Sequence, residues 1–252
     1  MKFETTRAGV FFRYGLTDRL ELGLEVPAYH RYRGFLEGAI KATERATTGL
    51  TTARNRLQGT GFDFRMTRNG QTLFRGGDNE FGLGDITASA KYQMLAQTAK
   101  LPALSLRVAV KVPSGDDRRF FGSGHTDVGI GLAAEKVLAP KWIAYVNTNA
   151  IIPTGRVSDL PLSPFMTALA GLEYRWSPAF SIVGQFDYYG SPYHDTGTRI
   201  LDRAVTEGVL GFNYRIRKNV LWQVYAVENL DLIEGAAADF TLSTAITYRF
   251  SS

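Results

Sequence analysis

In the stretch Leu104-Ser105-Leu106-Arg107-Val108-Ala109-Val110-Lys111-Val112, every even-numbered residue is apolar and the odd positions hold Ser, Arg, Ala and Lys. A period of two places the two sets of side chains on opposite faces of an extended strand. The same split recurs at 19–26, where Glu21 and Glu25 interleave with leucines, and at 85–94, where Thr87, Ser89, Lys91 and Gln93 share one face. Eleven such windows can be drawn, at 5–14, 19–26, 85–94, 103–112, 127–135, 142–152, 165–176, 180–188, 207–214, 220–227 and 239–250. No even position in any of them is charged, although charged residues make up 21% of the chain.

A soluble sandwich also alternates, with its apolar faces packed together. Two features place hydrocarbon on the even face instead. The apolar faces end in aromatics (Tyr14, Tyr92, Trp142, Tyr174, Trp176, Tyr188, Tyr214, Tyr248 and Phe250), as an interfacial girdle requires. The windows also cluster near the roughly nine to eleven residues that a tilted membrane strand needs, where sandwich strands run to about five or six. Connections alternate in length too. Short ones lie at 15–18, 96–100, 137–140, 177–178 and 217–219, and longer ones at 27–84, 113–126, 153–164, 189–206 and 228–238. Short periplasmic turns on one rim and long outer loops on the other are the pattern of outer-membrane proteins. The predicted fold is therefore all-β: an antiparallel up-and-down transmembrane β-barrel, one domain over 1–252, in a bacterial outer membrane. A long extracellular loop over 28–82 is expected to carry a short helix at 35–57 and a hairpin at 62–74 around Asn69-Gly70, a strong tight-turn signal.

Composition narrows the classes further. The chain has no cysteine, so neither a disulfide framework nor a thiolate metal site can be drawn. The net charge of +5 is spread along the chain and mixed with acids, which argues against a nucleic-acid surface and suits anionic lipid head groups. No run of about eighteen apolar residues occurs, so no helical span is expected. Met1-Lys2-Phe3-Glu4 leads straight into a strand pattern without a secretory leader. Eleven strands would leave the termini on opposite rims, and bacterial single-chain barrels have even numbers of strands. The expectation is twelve native strands, with a leader and a first strand upstream of Met1.

The run Arg13-Tyr14-Gly15-Leu16-Thr17-Asp18-Arg19-Leu20-Glu21-Leu22-Gly23-Leu24-Glu25-Val26-Pro27 carries a family resemblance. It continues through Gly34-Phe35-Leu36-Glu37-Gly38, Asn69-Gly70-Gln71, Gly82-Leu83-Gly84-Asp85-Ile86 and Lys111-Val112-Pro113-Ser114-Gly115. The sequence resembles a family of proteobacterial outer-membrane proteins defined only as a domain of unknown function. It is distantly similar to outer-membrane transporters attached to phenol-degradation pathways. The resemblance implies a barrel and brings no catalytic residues with it. Ser243, Ala245, Tyr248 and Phe250 match the spacing read by the barrel-assembly machinery, an expected partner of the C-terminal strand.

With lipid on the even side, the odd side faces the interior. The candidate lumen-lining residues are Arg7, Arg13, Glu21, Glu25, Lys91, Arg107, Lys111, Glu173, Arg175, Asp187, Glu207, Arg215 and Arg249. Asp127 and Glu135 share that parity. Both signs occur on neighbouring strands, which is open to two readings: a paired ion network filling a narrow barrel, or a polar conduit whose Arg and Lys select anionic or polar solutes.

An outer-leaflet lipid hydrolase would need a Ser–His pair near the outer rim. His30, His125 and His194 all fall on the long-loop side and Ser123 is near His125, but no nucleophile motif surrounds them. The acidic loop residues Asp116, Asp117 and Asp195 lack the alternating spacing of a dedicated calcium loop. Gly82-Leu83-Gly84 and Gly122-Ser123-Gly124 precede no helix that could cradle phosphate. No enzyme activity, cofactor or metal is expected. The expected function is a channel or uptake pore for small solutes with a charged lumen. The alternative is a closed barrel that engages lipopolysaccharide or a protein partner through its long outer loop. The bilayer is a partner in both.

Overall fold

The computed structural model describes residues 3–34, 62, 64–68, 70–157, 160–197, 199–230 and 240–250. All eleven predicted windows are strands. In chain order they are β1 (Glu4–Gly15), β2 (Leu20–Tyr32), β6 (Ile86–Leu95), β7 (Ala103–Val112), β8 (Asp127–Ala139), β9 (Trp142–Pro153), β12 (Phe165–Arg175), β13 (Phe180–Tyr189), β14 (Val205–Arg217), β15 (Val220–Asn229) and β16 (Phe240–Tyr248). Three short pairs complete the set: β3 (Phe64–Arg68) with β4 (Gln71–Gly76), β10 (Arg156–Val157) with β11 (Leu160–Pro161), and β5 (Glu80–Leu83) with β2. The main sheet has twelve strands, each long strand pairing antiparallel with its predecessor, in the order β1-β2-β6-β7-β8-β9-β12-β13-β14-β15-β16, with β5 on β2. Among the described residues no ladder joins β1 to β16. This is an up-and-down transmembrane β-barrel.

The side-chain faces show which solvent the barrel meets. Val10, Phe12, Leu22, Leu24, Val108, Val110, Val128, Ile130, Leu172, Leu210, Leu242 and Ile246 are all exposed and all even-numbered. Among the described residues only Phe64, Phe121, Ile143, Leu160 and Val183 form a buried apolar set. A soluble domain of this length would bury its apolar strand faces; here they point outward in a continuous belt, which hydrocarbon must cover. Aromatics rim the belt. Trp142 packs on Tyr174 with centroids 4.8 Å apart, Tyr174 meets Trp176 edge-on, and Tyr248 meets Phe250.

The short turns are closed by hydroxyls that take up free backbone N–H groups. Thr17 Oγ1 accepts from the N–H of Arg19 and Leu20, and Ser177 Oγ from Ala179 and Phe180. Lys136 Nζ ties the carbonyls of Thr98, Ala99 and Leu101.

Three features differ from the sequence reading. First, β2 does not stop at Pro27 but continues to Tyr32, where Ala28–Arg31 pairs with Glu80–Leu83. The long connection therefore begins and ends inside the expected 28–82 interval. Second, the register on β2 slips between Glu25↔Thr87 and Ala28↔Leu83, so Gly84-Asp85 bulges opposite Pro27. Gly84 N–H donates to the Pro27 carbonyl, so this edge of Pro27 is the one with no N–H to offer, and a bulge is where a sheet tolerates that. The extra residue inverts parity, and in β5 it is the odd Phe81 and Leu83 that point outward, 63% and 55% exposed. Third, a one-turn helix, α1 (Arg199–Asp202), lies in a connection read as plain loop. The expected hairpin is formed, by β3 and β4, with Gly70 at φ 79° as its turn requires. The helix expected at 35–57 lies outside the described residues.

Candidate functional site: the polar face of the barrel

The odd side chains share the face opposite the apolar belt, and they separate into two ends along the strands. At the long-loop end most charges are paired. Arg7 binds Glu25, and Lys111 binds both Asp85 (3.1 Å) and Asp127. Asp85 is 8% exposed and does more than pair with Lys111. Its Oδ1 accepts from Gly115 N–H (3.0 Å) and its Oδ2 from Ser123 N–H (2.8 Å), so one carboxylate holds both limbs of the 113–126 loop. Lys111 Nζ also donates to Ser123 Oγ (2.6 Å).

Arg31 grips the same loop from β2. Its guanidinium lies 3.7 Å from the centre of the Phe64 ring and 4.6 Å from that of Phe121, and donates to the carbonyls of Arg119 (3.0 Å) and Phe120 (3.3 Å). Glu80, directly opposite Arg31 in the ladder, supplies the counter-charge at 3.4 Å. A planar cation between two rings with carbonyls at its edge suits arginine and no other side chain. Inside the loop, the side chain of Arg119, helped by its N–H, holds the Asp116 carboxyl below the usual carboxylate range. The depressed value means this link exists above the ordinary carboxylate pKa and is lost as pH falls through the lowered one. Carboxyl NMR titration should place the Asp116 midpoint below the reference of about 3.9, and Arg119→Ala should bring it part of the way back, since the backbone N–H of residue 119 remains.

Further down the wall the ladder Glu21↔Lys91↔Arg107 runs across three strands, with Lys91 and Glu21 paired at 3.3 Å. Arg13 lies opposite Gly23, and Arg249 lies just past β16, its N–H donating to Asn219. Asp187 is 6% exposed, in register with Glu207. It accepts from the Gln185 amide at 2.8 and 2.9 Å and from the Tyr189 hydroxyl at 3.4 Å.

The short-turn half of the same wall opens into a cavity of ≈ 620 Å³ spanning β9 to β15. Three of the expected residues line it: Glu173, Arg175 and Arg215. The rest of its polar lining is neutral. Ser181, Asn213 and Gln223 sit side by side in register on β13, β14 and β15. Asn213 donates to Ser181 Oγ and accepts from Gln223 and the Tyr225 hydroxyl, while Tyr145 donates to Glu173. Tyr225 can lie against the wall because Gly211 faces it; a Cβ there would come within 2.2 Å of the ring. A reading confined to charged residues passes over Tyr145, Gln185, Asn213, Gln223 and Tyr225, although their odd parity marks them equally well. Arg31 and Glu80 lie in the 27–84 connection, outside the strand windows, and Asp85, the first residue of its window, is not among the charged candidates.

The hydrolase geometry is not assembled around Ser123. Its hydroxyl is engaged by Lys111 and Asp85, and it donates to the His125 backbone carbonyl (3.1 Å) rather than pairing with the ring. His30 bonds Asn79 at 2.8 Å and stacks on Tyr32 on the outer surface.

Three solved structures align with this chain. The COG4313 outer membrane channel from Pseudomonas putida F1 is 18% identical, with TM-score 0.63 over 98% of this chain and 83% of that one. The toluene transporter TbuX of Ralstonia pickettii is 12% identical (TM-score 0.43; 98% of this chain, 69% of that one), and a FadL homologue of Pseudomonas aeruginosa 10% (TM-score 0.41; 97% and 65%). No curated protein matches the sequence. The family defined as "Protein of unknown function (DUF3187)" matches residues 1–250, and the chain, a barrel with a polar inner cavity and a pinned outer loop, belongs to that family.

Proposed function

We propose that this protein is an outer-membrane channel or uptake pore for small solutes. Its lumen is lined by Arg7, Arg13, Glu21, Glu25, Lys91, Arg107, Lys111, Glu173, Arg175, Asp187, Glu207, Arg215 and Arg249. The observation that carries the reading is the cavity between Tyr145 and Tyr225, whose volume of ≈ 620 Å³ falls in the size range of small-molecule sites. A barrel that served only as a wall anchor would gain by filling that space with side chains. A channel of the same fold, the Pseudomonas putida protein, supports the reading by likeness of architecture.

A closed barrel whose long outer loop engages lipopolysaccharide or a protein is the second reading. It is favoured by the 113–126 loop, which Asp85 and Arg31 hold against the barrel's polar face. Single-channel recording of the full-length protein in a planar bilayer separates the two. The pore reading expects discrete, ohmic conductance steps that persist when the bilayer lacks lipopolysaccharide. A correctly folded barrel that stays silent at every voltage tested overturns it in favour of the closed form.

A further inference from the structure

We propose that the short-turn half of the lumen is a binding subsite for a small organic anion, a monocarboxylate with an apolar body, held by Arg175 and Arg215. The inference deepens the pore reading by naming its solute class, and it rests on the same cavity.

Two arginines enter that cavity, and neither guanidinium has an ion-pair or side-chain hydrogen-bond partner among the described residues. This sets them apart from Arg7, Lys91 and Lys111 on the same polar face, each matched to a carboxylate. The acid that lines the cavity, Glu173, takes its hydrogen bond from Tyr145 instead. Among the lining residues two positive charges stand against one negative, with both forks free for a carboxylate, the group that guanidinium geometry fits best.

Register supports their acting together. Arg175 lies opposite Ser181, Ser181 opposite Asn213, and Arg215 is the next residue on the Asn213 face. The two backbones are thus roughly 12 Å apart, by the ~4.8 Å strand spacing and ~3.4 Å rise, which two arginine side chains can span from either side of a carboxylate. The remaining wall is suited to a hydrocarbon body: Val183 and Leu221 line the cavity with the Tyr225 ring. In the Asn213–Gln223–Tyr225 network the Gln223 amide nitrogen and the Tyr225 hydroxyl already donate within the wall, which fixes the shape of this side of the cavity.

The test uses the full-length barrel in lipid nanodiscs, with empty nanodiscs as the blank. Isothermal titration at pH 7 compares pentanoate with pentan-1-ol and pentylammonium, which share its chain length. Pentanoate should bind roughly tenfold or more tightly than the alcohol, since a charge-assisted hydrogen bond supplies that much. Arg175→Gln or Arg215→Gln should each remove most of this preference, and the double variant all of it. Arg175→Glu with Arg215→Glu should turn the preference toward pentylammonium. Both positions are exposed, so the variants fold, which the gel mobility of the unheated barrel verifies. Equal affinity for pentanoate and pentan-1-ol, or an unchanged pentanoate affinity in the double variant, overturns the subsite. Parallel bilayer recording keeps the two proposals apart. Arginine-dependent pentanoate binding without current supports the subsite and overturns the pore; current without pentanoate preference does the reverse.

Discussion

Arginine in place of Ile130 should cost this barrel about 2–4 kcal/mol of stability in a bilayer, the range for a cation on the lipid face near the midplane. Ile130 is mid-strand in β8, 49% exposed, and flanked on the same face by Val128 and Leu132 with Val108 opposite. No water reaches that side to solvate a guanidinium, and no acid sits on any neighbouring even position to pair with it. The folded-to-unfolded ratio should therefore fall some thirty- to several-hundred-fold, since about 1.4 kcal/mol is a factor of ten. Three residues along the same strand, Ala133→Lys should cost under about 1 kcal/mol, the scale of ordinary surface changes. Ala133 is on the opposite face, between Ser105 and Asn147. Reversible urea unfolding in vesicles measures both. If the two variants lose equal stability, the lipid assignment of the even face is wrong.

Asp85→Ala should release the 113–126 loop and destabilise the barrel by about 3 kcal/mol, the lower end of the cost of removing one partner from a buried pair. The lower end applies because Lys111 keeps Asp127 and is itself a quarter exposed. Two backbone N–H groups, of Gly115 and Ser123, lose their acceptor at the same time. Asp85→Asn should recover only part of the loss, since Gly115 and Ser123 bind different carboxylate oxygens and an amide offers one acceptor. Limited trypsin digestion gives a second readout. Cleavage after Arg118 or Arg119 should accelerate at least tenfold in Asp85→Ala, by analogy with a local opening that has lost about 1.4 kcal/mol or more. An unchanged digestion rate would mean that Asp85 does not pin the loop. Opening the loop this way also bears on the pore, because it should raise single-channel conductance if the loop narrows the outer mouth.

The strand assignments were legible because the information is local. Leu106, Arg107 and Val108 face opposite ways through backbone geometry alone, whatever lies at the far end of the chain. The same locality makes turns readable, since the Thr17 cap at Gly15–Asp18 and the positive φ of Gly70 involve residues a few positions apart. Charge exclusion from eleven even faces then selects hydrocarbon as the solvent, a decision that composition makes without any tertiary contact.

The Asp85–Lys111–Ser123 pin and the Arg31 clamp behave differently. Asp85 is separated from its partners by 26 to 38 residues and Arg31 from Phe120 by 89. Pro27 falls just past the 19–26 window, and only the bulge at Gly84-Asp85 on the neighbouring strand gives a residue without an N–H its place in the sheet. Likewise Tyr145, Asn213 and Gln223 are unremarkable polar residues until strands β9, β14 and β15 bring them to one wall. Which face a side chain takes in the eleven long strands was set by the sequence itself, through their two-residue period, and the bulge at Gly84-Asp85 inverts it in β5. Which charges meet, which loop is tied down and where space remains were decided by the folded barrel, because those depend on register between strands, and register is a property of pairs.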